Sequence, residues 1–530
     1  MNLSETCARY LRAAGIGTVW GYPGDPSVGF LEACRTEGIE FVLARREGTA
    51  GLMAEAAGML TGRPGVCLST LGPGSTNLVN AVANAWLDRV PMLALSGQID
   101  TARAPTFTHQ VVDQRALFAP VSKWAAEVTP GTVGHVLRKA HRVACAPRPG
   151  PVHLSMHADH VTAEAEDDAV DLPPAAPEAM TVTLAEGSAP ERMVSRARRP
   201  LILLGISAMQ ADAGAQVAAL AERIGAAIVT APMAKGTVSE DHPRFAGTLD
   251  MACQAPMWDF VRSADLVICA GFDAVELIKP WSVTAPVLHL DAVPNTDQIY
   301  AAAAEMVGPV GPMLAALTDA VPEAPGWPER EIADHRDALQ AAFDAGRTEG
   351  AMNPSDVIRV ARDVLPADAI ATTDVGSHKL LVGQGWRPRG TRRFLMTNGL
   401  SSMGFSLPAA IAAQHLRPGE PVVCFTGDGG LAMVQSELRL AASLGLGLKV
   451  VVFVDNSLNR IELKQMARQV PSTGTVIEET ALGPLAESMG CHAAMCADET
   501  ALADALAADP GGVPLVIGAR IDPAQYAAQF

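Results

Sequence analysis

PVVCFTGDGGLAMVQSELRLAASLGLGLKVVVFVDNSLNRIELKQ, residues 421–465, carries the clearest structural signal in the chain. The apolar run 422–426 reads as a buried strand, Gly427-Asp428-Gly429 as a turn, about 432–443 as a helix, and 448–454 as a second buried strand ending on Asp455-Asn456. In such a βαβ unit both strands deliver their carboxyl ends to one edge of the sheet, where ligands bind. Asp428 and Asn456 therefore converge from opposite ends of a crossover helix. Two hard oxygen ligands suit Mg²⁺ or Ca²⁺, and Mg²⁺ fills its remaining positions with phosphate oxygens and water. The glycines around Asp428 let the backbone approach a diphosphate, whose charge is favoured at the N-terminus of the following helix. An Asp-Gly turn alone is an ordinary strand-to-helix connection. The informative feature is its combination with Asp-Asn after a second strand, 25 residues (430–454) further on.

Working outward, 530 residues are too many for one core and imply two to four domains. Half the chain is apolar and glycine and proline are plentiful, as an α/β protein with many strand-to-helix connections requires. A formal charge of −17 argues against nucleic acid or an anionic membrane as partner. The nine cysteines show no zinc spacing and are odd in number, which fits reduced thiols in a cytoplasmic protein. The opening residues MNLSETCARYLRAAGIG read as an amphipathic helix rather than a signal peptide, and no window approaches a membrane span.

Three doubly wound parallel-sheet units are expected, over residues 1–165, 190–325 and 350–530. In the first, a helix ends near Ala14 and strands cover 18–21, 40–44, 65–69 and 92–96, with a helix over 48–61. An Ala, Pro, Asp and Glu-rich linker spans about 163–191. The second unit has strands at 201–205, 227–230, 266–270 and 287–291, and the prolines of 321–327 close it. A helix over 329–346 leads to the third unit, which contains the opening stretch.

The GDG and Asp-Asn pair resembles the metal-diphosphate motif of thiamine-diphosphate enzymes, with Asp455 standing where that family has the first of two asparagines. The similarity to the acetolactate synthase, pyruvate oxidase and 2-keto acid decarboxylase superfamily extends over nearly the whole chain. WGYPGD, STLGPGSTNLVNAVANAWLDRVPMLALSGQ, DVGSH and NGLSSMGFSLPAAIAA each match a family segment in order. The resemblance implies that Asp428, Asn456 and the carbonyl of Leu458 hold Mg²⁺. It implies cofactor contacts from Pro23, Gly24, Thr70 and Asn77 in the first unit. In the third unit it implies contacts from Gly376, Ser377, His378, Gly399, Ser401, Met403, Gly427, Asp428, Gly429, Gly430, Leu458, Asn459 and Ile461. Met403 would impose the cofactor's bent shape, and Gly399 would meet the aminopyrimidine through its backbone. Arg45-Arg46-Glu47-Gly48 matches the segment whose glutamate activates the cofactor by hydrogen-bonding its pyrimidine ring nitrogen. In that family the glutamate and the diphosphate site come from different subunits, which implies a homodimer, or a tetramer built from dimers.

Thiamine diphosphate fixes the class of chemistry but not the fate of the substrate. After a 2-keto acid loses carbon dioxide, the remaining carbon is protonated, joined to a second carbonyl, or oxidised. In the loop FTHQVVDQ, 107–114, Gln110 aligns with a glutamine that reaches the reacting carbon in acetohydroxyacid synthases. Simple decarboxylases carry a His-His pair here, whereas this chain has His109 alone. The run AGFDAVELIKPWS resembles the catabolic, FAD-free acetolactate synthases and lacks the arginines of the FAD-dependent ones, which argues against bound FAD. The charged segment NRIELKQ offers Arg460, Glu462 and Gln465 to the mouth of the site or to solvent. The expectation is an acetolactate synthase-like carboligase acting on a short, pyruvate-like 2-keto acid. A non-oxidative decarboxylase or 2-hydroxyacyl lyase is the alternative, and a catalytically silent paralogue the third.

Overall fold

The computed structural model describes residues 1–166 and 180–530. Residues 167–179 of the expected linker lie outside them; its far end is already helical, as Ala189–Arg196. The described residues form three six-stranded sheets, and every strand pairing between them is parallel. The strands are short apolar runs, many of them buried throughout, as parallel sheets covered by helices on both faces require.

The first sheet comprises β1 (Thr18–Gly21), β2 (Glu40–Leu43), β3 (Gly65–Ser69), β4 (Met92–Gln98), β5 (Trp124–Val128) and β6 (Pro151–His157), in the order β2-β1-β3-β4-β6-β5. The central sheet comprises β7 (Pro200–Leu204), β8 (Ala227–Thr230), β9 (Phe245–Thr248), β10 (Leu266–Ala270), β11 (Val287–Asp291) and β12 (Ala302–Val307). Its order is β12-β11-β10-β7-β8-β9. The third comprises β13 (Ile370–Thr373), β14 (Phe394–Met396), β15 (Val422–Gly427), β16 (Lys449–Val454), β17 (His492–Cys496) and β18 (Leu515–Arg520), in the order β14-β13-β15-β16-β18-β17. The first and third sheets thus share one topology, although no sequence repeat announces it.

In an open parallel sheet the ligand crevice opens where the strand order reverses. That point falls between β1 and β3 in the first sheet, between β7 and β10 in the central one, and between β13 and β15 in the third. Each crevice lies inside one of the three expected units.

By contacts the chain divides into two compact units. One holds the first sheet together with Gly399–Pro418 and Val434–Leu446; the other holds the central and third sheets. Within the first unit, helix Ser406–Leu416 packs along helix Glu47–Thr61. Trp20 meets His415 edge-on there, with ring centroids 5.2 Å apart. Helix Glu47–Thr61 is pressed onto β3 so closely that a Cβ on Gly65 would fall 1.7 Å from the Ala54 carbonyl oxygen.

One expected element differs in kind. The helix read over about 432–443 begins at Asp428 and runs as two pieces, Asp428–Val434 and Glu437–Ser443. Between them Leu438 and Arg439 donate to the carbonyls of Gln435 and Ser436, three residues back, which tightens one turn into 3₁₀ geometry. Other ends shift by a few residues: the helix expected over 48–61 starts at Glu47, and that over 329–346 stops at Phe343.

Candidate active site

The first crevice gathers most of the residues singled out near the N-terminus. After β1 the chain turns through Tyr22, Pro23 and Gly24, and a Cβ on Gly24 would fall 1.9 Å from Thr70 Oγ1 after β3. Gly72 (φ +44°) then starts helix Pro73–Leu87. Glu47, the first residue of its helix, accepts a 2.7 Å hydrogen bond at Oε2 from Asn77 Nδ2. Asn77 Oδ1 in turn accepts from Arg46 Nε at 2.9 Å. A Cβ on Gly74 would lie 2.7 Å from Thr70 Cγ2 and 2.9 Å from Glu47 Oε1. The loop with His109 and Gln110 reaches the same turn, because a Cβ on Gly72 would meet the Gln110 carbonyl oxygen at 2.5 Å. Gln110 is left-handed (φ +58°), and the His109 ring packs edge-on against Phe107.

Helix Pro73–Leu87 also anchors the segment containing Gly399, Ser401 and Met403. Asn80 Nδ2 donates to Ser402 Oγ at 2.8 Å, the Ser402 N–H donates to Asn84 Oδ1 at 3.3 Å, and the Gly399 N–H donates to Asp88 Oδ1 at 2.6 Å. A Cβ on Gly399 would lie 2.4 Å from the Leu87 carbonyl oxygen, so only glycine fits. Ser401 is left-handed at φ +61°. Asn84 Nδ2 further bonds both carboxylate oxygens of the fully buried Glu55, at 2.9 and 2.8 Å, and Asp88 Oδ2 at 3.1 Å. Burial, and after it the neighbouring Asp88, pushes the Glu55 carboxyl well above its usual range. Asn77, Asn80, Asn84 and Asp88 thus form one polar stripe at helical spacing. Sequence reasoning missed its last three members and Glu55, although the intervals of three and four within STNLVNAVANAWLD carried the signal.

Glu437 was also missed. This fully buried residue opens helix Glu437–Ser443 and belongs to the same compact unit as Glu47. Its Oε1 accepts from the Arg45 N–H at 2.9 Å and lies 2.5 Å from Thr49 Oγ1. Its Oε2 is buried with no hydrogen-bond partner among the described residues. Burial raises its pKa.

The third crevice gathers DVGSH and GDG. Asp374 follows β13 and accepts at Oδ1 in a 3.1 Å contact with His378 Nε2. His378 is the second residue of helix Ser377–Gly385, and its buried ring stacks on Phe453. A Cβ on Gly376 would meet His378 Nδ1 at 2.5 Å, one on Gly427 would meet the same ring at 3.2 Å, and one on Gly430 would meet Asp374 Oδ2 at 2.6 Å. These glycines hold the two turns together. Ser377 Oγ donates to Asn459 Oδ1 at 2.7 Å.

Asp428 is fixed by backbone donors: the Gly429 N–H to Oδ1 at 2.8 Å, and the Asn456 and Asp455 N–H groups to Oδ2 at 2.7 and 3.2 Å. The βαβ unit thus brings Asp428 and Asn456 to one point, as its spacing required. Asn456 is left-handed (φ +56°), and its carbonyl accepts from Ile477. The Leu458 carbonyl accepts from Ile461 and Glu462 at 2.8 and 3.2 Å, starting helix Asn459–Ala467. Asp455, half-buried and beside Asp428, has its carboxyl pushed up to about 7 by desolvation first and that neighbour second. Ile461 is exposed. Of the charged segment after it, Glu462 bonds Ser457 and Ser472, Gln465 bonds the Thr473 carbonyl, and the Arg460 guanidinium lies 4.3 Å over the Phe530 ring. Glu462 and Gln465 fasten the following loop.

Three family models match in chain order. They describe the N-terminal thiamine pyrophosphate-binding domain of thiamine pyrophosphate enzymes (residues 1–117), the central domain (191–317) and the C-terminal thiamine pyrophosphate-binding domain (374–518). The large subunit of acetolactate synthase isozyme 2 from Escherichia coli is 30% identical over 512 residues, covering 93% of this chain and 90% of that one. The chain belongs to the acetolactate synthase family of thiamine pyrophosphate enzymes. A catabolic acetolactate synthase from Raoultella terrigena is 29% identical over 505 residues, 91% of this chain and 88% of its own. A probable 2-ketoarginine decarboxylase from Pseudomonas aeruginosa is 29% identical over 514 residues, 93% and 89% respectively.

Thiamine diphosphate with Mg²⁺ is the cofactor of this family, and the donor set fits it. Among the described residues no three His, Cys, Asp or Glu side chains gather as a metal site, and the Asp428 carboxylate with the Asn456 amide and the Leu458 carbonyl would offer an all-oxygen set. That all-oxygen set suits Mg²⁺ completed by phosphate oxygens.

Proposed function

We propose that this protein decarboxylates a short, pyruvate-like 2-keto acid and joins the retained fragment to a second carbonyl compound, as an acetolactate synthase does. The bound cofactor supplies the electron sink for decarboxylation. In this reading Asp428, Asn456 and the Leu458 carbonyl hold Mg²⁺. The backbone at Gly376–Ser377, Gly427–Gly430 and Asn459 approaches the diphosphate, and Pro23, Gly24, Thr70, Asn77, Gly399, Ser401 and Met403 surround the rest. Glu47, oriented by Asn77, holds the proton at the pyrimidine ring. Gln110 and His109 attend the reacting carbon. A homodimer brings Glu47 of one copy to the metal turn of the other.

The observation favouring carboligation is the loop 107–114. It carries Gln110 at the Gly72 turn beside Glu47, and its one histidine, His109, packs against Phe107 with no second imidazole in the loop to complete a proton relay. The relative described as a probable 2-ketoarginine decarboxylase favours the second reading, simple decarboxylation. A screen of 2-keto acids, each alone and with an aldehyde or a second keto acid, decides between them. A 2-hydroxy-2-methyl-3-oxo acid formed from pyruvate supports the first; aldehyde as sole product sinks it.

Flavin has no part in this reading. At the central crevice Glu276 Oε2 accepts the Ile206 N–H at 2.9 Å, and a Cβ on Gly205 would lie 2.3 Å from Phe272 Cα. Asp273, Glu276 and Asp291 are buried near one another there, burial raises the pKa of Glu276 and Asp291, and none of the three offers a dinucleotide's diphosphate a positive charge. Eight of the nine cysteines are buried and all are free, with burial pushing Cys7, Cys34 and Cys67 up to about 12. Such inert thiols suit the cytoplasm. Among the described residues no helix is long and apolar enough to cross a membrane.

A further inference from the structure

We infer that Glu437 is a positioning residue for Glu47: from the crossover helix of the metal-binding βαβ unit, it clamps both sides of the strand-to-helix turn that carries the activating carboxylate. The inference rests on the role proposed for Glu47 above.

The turn lacks local support. Arg46 is the N-cap of helix Glu47–Thr61 and makes no side-chain capping bond, and arginine is a poor residue for that position. Glu437 braces this turn from 392 residues away in sequence. One oxygen takes the Arg45 N–H, two residues before Glu47, and reaches the Thr49 hydroxyl, two residues after it. Thr49 Oγ1 also lies 2.7 Å from the Arg46 carbonyl oxygen, its single proton shared between that carbonyl and the Glu437 carboxylate, and Arg46 Nε bonds Asn77, which bonds Glu47. Glu437, Thr49, Arg46, Asn77 and Glu47 therefore form one chain of contacts ending on the Glu47 carboxylate.

A packing role alone does not explain a carboxyl here. A buried carboxyl with one unpartnered oxygen costs free energy that a leucine of similar volume avoids. The bonds it makes all fall within two residues of Glu47. Misplacing a reacting group by about 1 Å costs on the order of a hundredfold in rate, so a rigid turn has catalytic value.

The test uses the full-length protein with thiamine diphosphate and Mg²⁺. Binding is followed by intrinsic fluorescence, cofactor activation by the deuterium exchange rate of its thiazolium C2 proton, and the turn by amide exchange over residues 44–50. Glu437→Ala is expected to bind the cofactor within about threefold of the wild type, exchange the C2 proton at least about tenfold more slowly, and lose protection at the Arg45 amide. Glu437→Gln, which keeps an acceptor at the same place, recovers most of the exchange rate. Wild-type C2 exchange in a folded Glu437→Ala overturns the inference. If that variant does not fold, Thr49→Val carries the same expectation and the same failing outcome. Glu47→Gln separates the two claims. If it leaves C2 exchange unchanged, the role of Glu47 itself falls; if it abolishes exchange while Glu437→Ala does not slow it, only the inference falls.

Discussion

Glu47 is aimed before any cofactor arrives, because Asn77 holds one carboxylate oxygen and the wall at Gly74 confines the other. Glu47→Gln preserves that shape and removes only the acid-base function proposed for it. It should bind thiamine diphosphate nearly as the wild type does and turn over at least about a hundredfold more slowly in steady-state assays. Gly74→Ala places a methyl group within contact of Thr70 and Glu47, so turnover should fall with little change in cofactor affinity, and Gly74→Ser should be worse. Asp455 departs from the family's asparagine pair, with a chemical consequence. Its carboxyl titrates near pH 7 in the folded apoprotein, far above the usual aspartate value. A raised folded pKa means stability that is full below the unfolded value and is lost as pH climbs through the folded one. The melting temperature of the apoprotein should fall as pH rises from about 4 to about 7, and Asp455→Asn should flatten that slope. Mg²⁺ binding in the wild type should release a proton that the variant does not, measurable by calorimetry in two buffers.

At the level of elements, the strand-to-helix turns were the legible part. GDG, DVGSH, GPG and the Asp-Asn pair occupy strand ends because glycine and short polar residues permit the backbone reversals needed there. Strands such as Leu266–Ala270 and Lys449–Val454 were clear because continuous apolar runs suit sheets buried on both faces. Less legible were the edge strands Phe394–Met396 and His492–Cys496, one only three residues long and the other rich in alanine. The polar stripe on helix Pro73–Leu87 was hidden because asparagine at helical spacing ordinarily faces water. Its partners, the buried Glu55 and the Gly399–Ser402 backbone, lie too far along the chain for any periodicity to reveal. Asn84→Ala should leave the Glu55–Asp88 pair without its shared donor, at a cost of about 1–3 kcal/mol. Amide exchange across residues 399–404 should quicken at the same time.

At the scale of the molecule, two sheets of one topology each present a crevice, and the proposed reaction needs both from different copies. Glu47→Gln and Asp428→Ala, each inactive alone, should regain activity when unfolded together and refolded as a mixture, since half of the mixed dimers' sites then carry neither substitution. No recovery would mean that both groups serve a site within one copy, or that Glu47 serves none. The equal topology of the first and third sheets was not visible in the sequence, because strand order is set by which helices cover which face rather than by residue identity.

Residues 406–416 and 437–443 pack with the N-terminal sheet although they are encoded far downstream. Recombination between relatives therefore meets a barrier that a domain map does not display. A crossover placed in the interdomain segment separates helix Glu47–Thr61 from the helix that covers it and Arg45 from its carboxyl clamp. Hybrid genes should tolerate exchange of the middle third far better than exchange of either end. The two outer thirds are then expected to drift together, each substitution near residue 49 or 58 answered by one near 410 or 437.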